Sequence, residues 1–147
     1  MEAVKEIKQK NVKLLVFGSV VDELKQQVQN LADGDRIQYI GWQNAEESYQ
    51  LFAAADLAAF PGRHSVYWEQ ATGQGIPMIA KDWEGTHHVD LGGNVIFLKE
   101  DSKTEIIRAL ERILSDQHLY HSMKLIAETK GPQTFSYGKI AQKSIEE

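Results

Sequence analysis

The chain has 147 residues, with 16 lysines and arginines against 21 aspartates and glutamates, a formal net charge of −5 and no cysteine. That length suits one domain with a real core. The acidic balance, with lysines scattered among glutamates, argues against a nucleic-acid partner, and the lack of thiols excludes disulfides and thiolate chemistry. The first residues lack the basic end and apolar core of a signal peptide, and no apolar run approaches the ~20 residues a membrane span needs, so a cytoplasmic protein is expected.

In chain order, residues 2–10 set Ala3, Val4 and Ile7 on one face against lysines and glutamates, the period of a surface helix. Residues 12–17 form a nearly continuous apolar run closed by Gly18-Ser19, the pattern of a parallel strand covered on both faces. Helical spacing returns over 20–31 through Val21, Leu24, Val28 and Leu31, and Ala32-Asp33-Gly34-Asp35 ends it. A strand over 36–40 follows, then the loop Gly41-Trp42-Gln43. Asn44 with Glu47 three residues on is a capping box for a helix to about residue 55.

The next stretch, residues 60–77, carries most of the functional signal. Residues 57–60 are an apolar strand, Pro61-Gly62 its turn, Ser65 a helix N-cap, and Gly75 with Pro77 a helix stop. A helix that starts just past a parallel strand points backbone N–H groups and its positive dipole end into the crevice where open α/β sheets bind ligands, so an anion is the expected guest. Glu69 falls on the first turns of that helix, where a carboxylate suits a ligand bearing hydroxyl donors, such as a sugar ring. Trp68 reads as packing, while His64 and Arg63 suit a phosphate as well as they suit solvent.

Beyond Pro77, residues 78–80 are a short strand, and 81–88 a polar, aromatic-bearing loop at its end, where ligands are met. Trp42 and Trp83, in loops at strand ends, could stack on a base or line a sugar site. His87-His88-Val89-Asp90 matches no zinc template, and adjacent histidines rarely ligate one ion together, so no metal is expected there or at His118 and His121. Gly92-Gly93 turns the chain into a strand over 94–98. Ser102 with Glu105 is a second capping box, opening a helix through Leu114; another helix spans 117–129, Gly131-Pro132 breaks the chain, and a terminal helix spans 137–147. Strands alternating with helices in units of about thirty residues specify a doubly wound parallel α/β sheet.

The order of motifs resembles the C-terminal, donor nucleotide-sugar-binding domain of the GT-B glycosyltransferases, in particular the retaining "group 1" enzymes of family 4. It rests on Leu14-Leu15-Val16-Phe17-Gly18, on Ile37-Gln38-Tyr39-Ile40-Gly41-Trp42, on Tyr49 to Pro61, and on Trp68-Glu69-Gln70-Ala71 through Gly75-Ile76-Pro77. The likeness covers nearly the whole chain. It implies that Glu69 holds the ribose of a nucleoside diphosphate sugar, that backbone amides around His64, Ser65 and Val66 meet the diphosphate, that Gly41 and Trp42 lie near the base, and that Gly18 keeps the first loop low enough for the donor. Gly85 and Thr86 would touch the donor from the facing loop. No cofactor is implied, the nucleotide sugar being the substrate, and the chemistry should be metal-independent.

The sequence departs from the family pattern at two places. The glutamate that usually precedes the ribose-binding one, with seven residues between them, is replaced here by Pro61, which leaves His64 as its stand-in and candidate catalytic group. The family's first strand, with its Gly-Arg pair and diphosphate-binding lysine, is apparently absent, as is the N-terminal acceptor domain. Residues 1–147 are thus expected to be a single donor-binding domain from a longer two-domain transferase of the hexosyltransferase type, acting in bacterial surface-polysaccharide synthesis. Any association with a membrane would come through the missing N-terminal half. Without the first strand, residues 12–17 and 57–60 would present open backbone edges, which favours homo-oligomer formation through unpaired strands. A sugar-nucleotide epimerase or phosphorylase on the same fold, with His64 or His87 in acid–base work, and a non-catalytic nucleotide-binding or regulatory module are the alternatives.

Overall fold

The structure, a computed structural model, describes residues 1–136, so the helix expected over 137–147 lies outside the described residues. The strands are β1 (Leu14–Val16), β2 (Ile37–Tyr39), β3 (Ala58–Phe60), β4 (Met78–Lys81) and β5 (Val95–Leu98). The helices are α1 (Glu2–Glu6), α2 (Asp22–Leu31), α3 (Ala45–Ala53), α4 (Tyr67–Gly73), α5 (Lys103–Ser115) and α6 (Gln117–Thr134), with a 3-10 turn at His87–Val89. Their alternation is the one the sequence predicts.

All strand pairs are parallel, but they fall into two sheets instead of one: β1 pairs with β2, and β3, β4 and β5 form the other in that order. Among the described residues no ladder joins β1 to β3, so each offers one open edge, as expected without a strand between them. The core lies on both faces of β4, all four of whose residues are buried. Strand alternation sends Ile79 to a layer with Ile37, Leu98, Leu110 and Ile113, packed under α1 and α5. Met78 and Ala80 go to the opposite layer with Phe52, Trp68, Ala71 and Val89, under α3 and α4.

The two strong caps behave differently. At α3 the Asn44 side chain accepts from the Glu47 amide and the Glu47 carboxylate accepts from the Asn44 amide, both at 2.9 Å, a complete capping box. At α5 the Ser102 hydroxyl accepts from the Glu105 amide, but the Glu105 carboxylate turns to the amides of Lys99 and Glu100. It ties the helix to the end of β5 instead.

Four expectations need correction. The apolar run at β1 is covered on one face only, with Leu15 46% exposed, and α2 buries none of its residues, leaving Val21 and Leu24 open. α1 ends at Glu6 because Ile7 takes an extended conformation, φ −59° and ψ 152°. Ser65 is not the N-cap of α4; the chain is already helical in dihedral at Val66, which occupies the cap, and Ser65 contributes its carbonyl to the Trp68 amide at 3.0 Å. Finally, α6 runs through Gly131-Pro132. Proline removes one N–H, but the Thr134 hydroxyl donates to Lys130 O and the Phe135 amide to Gly131 O, both within 2.9 Å, so the ladder resumes.

Gly131 explains why that helix stays in place. A Cβ there would overlap the Thr72 carbonyl of α4, so only glycine lets α6 approach the helix that carries Glu69. Gly131→Ala should lower stability by about 1–3 kcal/mol, the usual range for forced overpacking. Gly62→Ala, where a Cβ meets open space, should be near neutral. Urea denaturation of the two variants checks this, and equal stabilities would contradict it.

Candidate functional site

In each parallel sheet the loops leave the C-terminal ends of the strands, and the β3–α4 loop and the loop after β4 lie side by side. They are stapled by the Trp83 indole, whose Nε1 donates to Gly62 O at 3.1 Å. The loops after β1 and β2 are joined in the same way: the Gly18 amide donates to Gly41 O at 2.8 Å, and the Tyr39 hydroxyl to Gly18 O at 2.7 Å. Phe17 touches Tyr67 edge-on, with ring centroids 5.5 Å apart, which brings the end of β1 against the start of α4.

Glu69 is the centre of this edge. One carboxylate oxygen, Oε1, contacts His64 Nε2 and His88 Nε2, each at 2.8 Å. The other, Oε2, is buried and has no side-chain or ligand partner among the described residues. Beneath them Trp68 is fully buried, stacked on Phe60 with the His64 ring edge-on at 5.1 Å, so α4 holds one side of the cluster rigidly. Burial by itself pushes the Glu69 carboxyl up. Hydrogen bonds from His88, from its own backbone amide and from His64, with the charge of His64, together outweigh that and leave it below the ordinary carboxylate range. It is a half-buried, ionised acceptor aimed between two loops.

The structure gathers some of the sequence-predicted residues and not others. His64 and Glu69 are together, and Gly85 joins them through its carbonyl, 3.3 Å from His88 Nδ1. Ser65 and Val66 lie on the loop beside them, Val66 72% exposed. Gly18 and Gly41 are paired with each other, and Gly41 has φ +74°, a conformation suited to glycine. Trp42 stands free at 70% exposure. Thr86 is buried, its hydroxyl donating to Trp83 O at 2.8 Å, so it shapes the loop from within. Trp83 is engaged as the staple, and Trp68 is packing, as expected.

His88 is the residue that sequence reasoning passed over. Its neighbour His87 points away, to the Asp82 carboxylate and onto the Phe97 ring at 4.5 Å. The available signal was fold-level: loops at the ends of adjacent parallel strands converge, so a histidine in each can meet one glutamate. Two surface depressions, of about 200 Å³ between α3 and α6 and about 270 Å³ beside β5 and α5, lie away from this cluster.

The family model for "Glycosyl transferases group 1" matches residues 1–116. Among solved structures, HepE of Anabaena in complex with UDP-glucose aligns with TM-score 0.76 at 21% identity, covering 99% of this chain and 42% of that one. Sucrose-phosphate synthase from Thermosynechococcus elongatus aligns at 0.77 and 20%, covering 99% and 39%. WaaG, a glycosyltransferase involved in lipopolysaccharide biosynthesis, aligns at 0.71 and 19%, covering 97% and 40%. These likenesses establish a shared fold, and the chain spans about two fifths of each structure. None of the curated proteins compared matches it.

The lowered Glu69 carboxyl has a sign that can be tested. A group whose folded value is depressed adds stability above the ordinary carboxylate value of 4.5 and loses it as pH falls through the folded value. The stability difference between wild type and Glu69→Gln should therefore be full near about pH 6 and shrink toward about pH 3. Urea denaturation across that range measures it; a pH-independent difference would refute the assignment.

Proposed function

Because the chain belongs to the group 1 glycosyl transferases, we propose that it is the donor-binding half of a retaining, hexosyltransferase-type enzyme that takes a sugar from a nucleoside diphosphate sugar. The observation that carries this is Glu69: ionised, half-buried and set at the C-terminal edge of parallel strands, where a carboxylate has use for a ligand bearing hydroxyls. The ribose diol is the fitting donor. Backbone amides around His64, Ser65 and Val66 face the diphosphate, Gly41 and Trp42 border the base with Gly18 keeping the first loop low beneath the donor, and His64 stands nearest the transferred sugar. Structures of the same fold hold UDP and UDP-glucose, which makes uridine nucleotides the first ligands to try.

In the proposed reaction the glycosidic bond to the diphosphate breaks and a new one forms to the acceptor on the same face of the sugar. The protein's part is to hold the donor and to stabilise the departing diphosphate with fixed dipoles and charge. No resident cofactor takes part. The chain spans about two fifths of the matched structures, and on this reading the acceptor-binding half, and the upstream cations that complete the diphosphate site in this family, belong to the rest of a longer protein. The assignment to bacterial surface-polysaccharide assembly, at the cytoplasmic side of a membrane, follows from the family reading; WaaG, of the same fold, belongs to lipopolysaccharide biosynthesis.

A charged hydrogen bond to a hydroxyl is worth about 1.5–3 kcal/mol, and giving up one imidazole contact offsets part of it. Glu69→Ala should therefore weaken UDP binding by about tenfold. Titration calorimetry checks this, and unchanged affinity would remove Glu69 from the ribose site. The chain alone should bind donor without turning it over. The His87–Asp82 pair at the rim favours a second reading, acid–base epimerisation; a new sugar nucleotide formed from donor alone, without acceptor, would select it.

The same reading takes the open edges of β1 and β3 as positions for a further strand, supplied in the isolated chain by a second copy. Sedimentation velocity over a roughly hundredfold concentration range should show reversible self-association. A monomer throughout would end the strand-sharing idea.

A further inference from the structure

His64, Glu69 and His88 bring two imidazole Nε2 atoms and one carboxylate oxygen within 4.8 Å of one another. They come from three different segments: the β3–α4 loop, α4 itself and the 3-10 turn after β4. His88 holds its other ring nitrogen, Nδ1, 3.3 Å from Gly85 O. A neutral imidazole has one N–H, and both nitrogens of His88 face acceptors. With the proton on Nε2, His88 donates to Glu69 Oε1 at 2.8 Å; with it on Nδ1, His88 donates to Gly85 O and turns the Nε2 lone pair toward Glu69, where an ion can bridge the two.

We infer that His64, Glu69 and His88 form a site for a divalent transition ion of the zinc class. Two imidazoles and one carboxylate are the donor set such ions take with a further position left open. The Nδ1–Gly85 contact is the arrangement that orients a ligating histidine and leaves Nε2 for the ion. A tetrahedral ion bonded at about 2.0–2.1 Å sets its donors roughly 3.3 Å apart. The two histidines must therefore back away from Glu69 by about 0.5 Å and approach one another by at most about 1.5 Å. Their side chains, 37% and 45% exposed, have room for that, while Glu69 is fixed by the packing of α4. His87 takes no part, since it is turned to Asp82. This is why the adjacent histidines fit no sequence template and yet one of them ligates.

The site has a consequence that rests on Glu69 being the ribose acceptor: an ion on Oε1 occupies the atom the nucleotide needs. Metal and donor then exclude one another, and the ion acts as an inhibitor of a transfer that does not itself use a metal.

The test uses tag-free, chelator-dialysed protein titrated with Co(II), followed by visible absorption, and then with Zn(II) to displace it. Saturable binding of one ion per chain is expected, weakened about tenfold or more in His64→Ala and in His88→Ala and unchanged in His87→Ala and in the His118→Ala/His121→Ala pair. Circular dichroism verifies each variant, and His88→Gln serves if His88→Ala does not fold. Absence of saturable binding, or wild-type affinity in both single variants, overturns the site. UDP titrated into Zn(II)-loaded protein then reads the exclusion, with His88→Ala as the control for chelation of the diphosphate by free ion. Weaker UDP binding in the wild type alone supports it. If UDP affinity is unchanged while the ion sits on the three residues, the metal site stands and the ribose assignment falls.

Discussion

The position of the Glu69 cluster follows from the burial of one four-residue strand. β4 is covered on both faces, so its alternating side chains commit Ile79 to one layer and Met78 with Ala80 to the other, and a slip of one residue would exchange the two cores. With β4 fixed between β3 and β5, the loops that follow β3 and β4 must emerge next to each other. His88 and Glu69, 19 residues apart in the chain, meet for that reason. Trp68 completes the constraint from below: fully buried between Phe60 and the core, it sets the rotation of α4 and thus the direction in which Glu69 points.

What was legible in the sequence was what depends on near neighbours. The alternation of strands and helices comes from hydrophobic period, and the capping box of Asn44 and Glu47 closes within four residues, so both could be read locally. The cap at Ser65 failed because whether a serine caps depends on the dihedral of the residue after it, and Val66 had already turned helical. The break at Gly131-Pro132 failed for a non-local reason: contact with Thr72 of α4 holds a helix that the local preference of proline would end. Glu69 and His64 could be placed on one loop and helix start, whereas the partner His88 depends on strand order, which local pattern does not encode.

The apolar run at β1 shows a different limit. Its composition suits burial on both faces, yet Leu15 stands 46% exposed, with Val21, Leu24 and Ile40 also open around it. Hydrophobic pattern reports what a segment can bury against and is silent on whether the covering element is present. β4, of similar composition, finds its cover on both sides within the chain. The difference is one of neighbours, since β1 has a strand on one edge only.

Glu69 must also be considered for what it gives up. Oε1 has two lone-pair directions, and both are directed at imidazoles, while Oε2 is buried beyond the reach of an outside ligand. Any guest on this carboxylate therefore replaces a contact already made. Hydrogen bonds to a charged group are worth about 1.5–3 kcal/mol each, so trading an imidazole for a ribose hydroxyl leaves only part of that, about a factor of ten in affinity. The carboxylate can select for a diol at that position, since a group without donors would leave it short, but it cannot supply most of the binding energy. On the proposed donor reading most of the affinity would then come from the diphosphate and the base, for which the exposed Val66 loop, the Gly18–Gly41 pair and the exposed Trp42 are the surfaces nearest to hand.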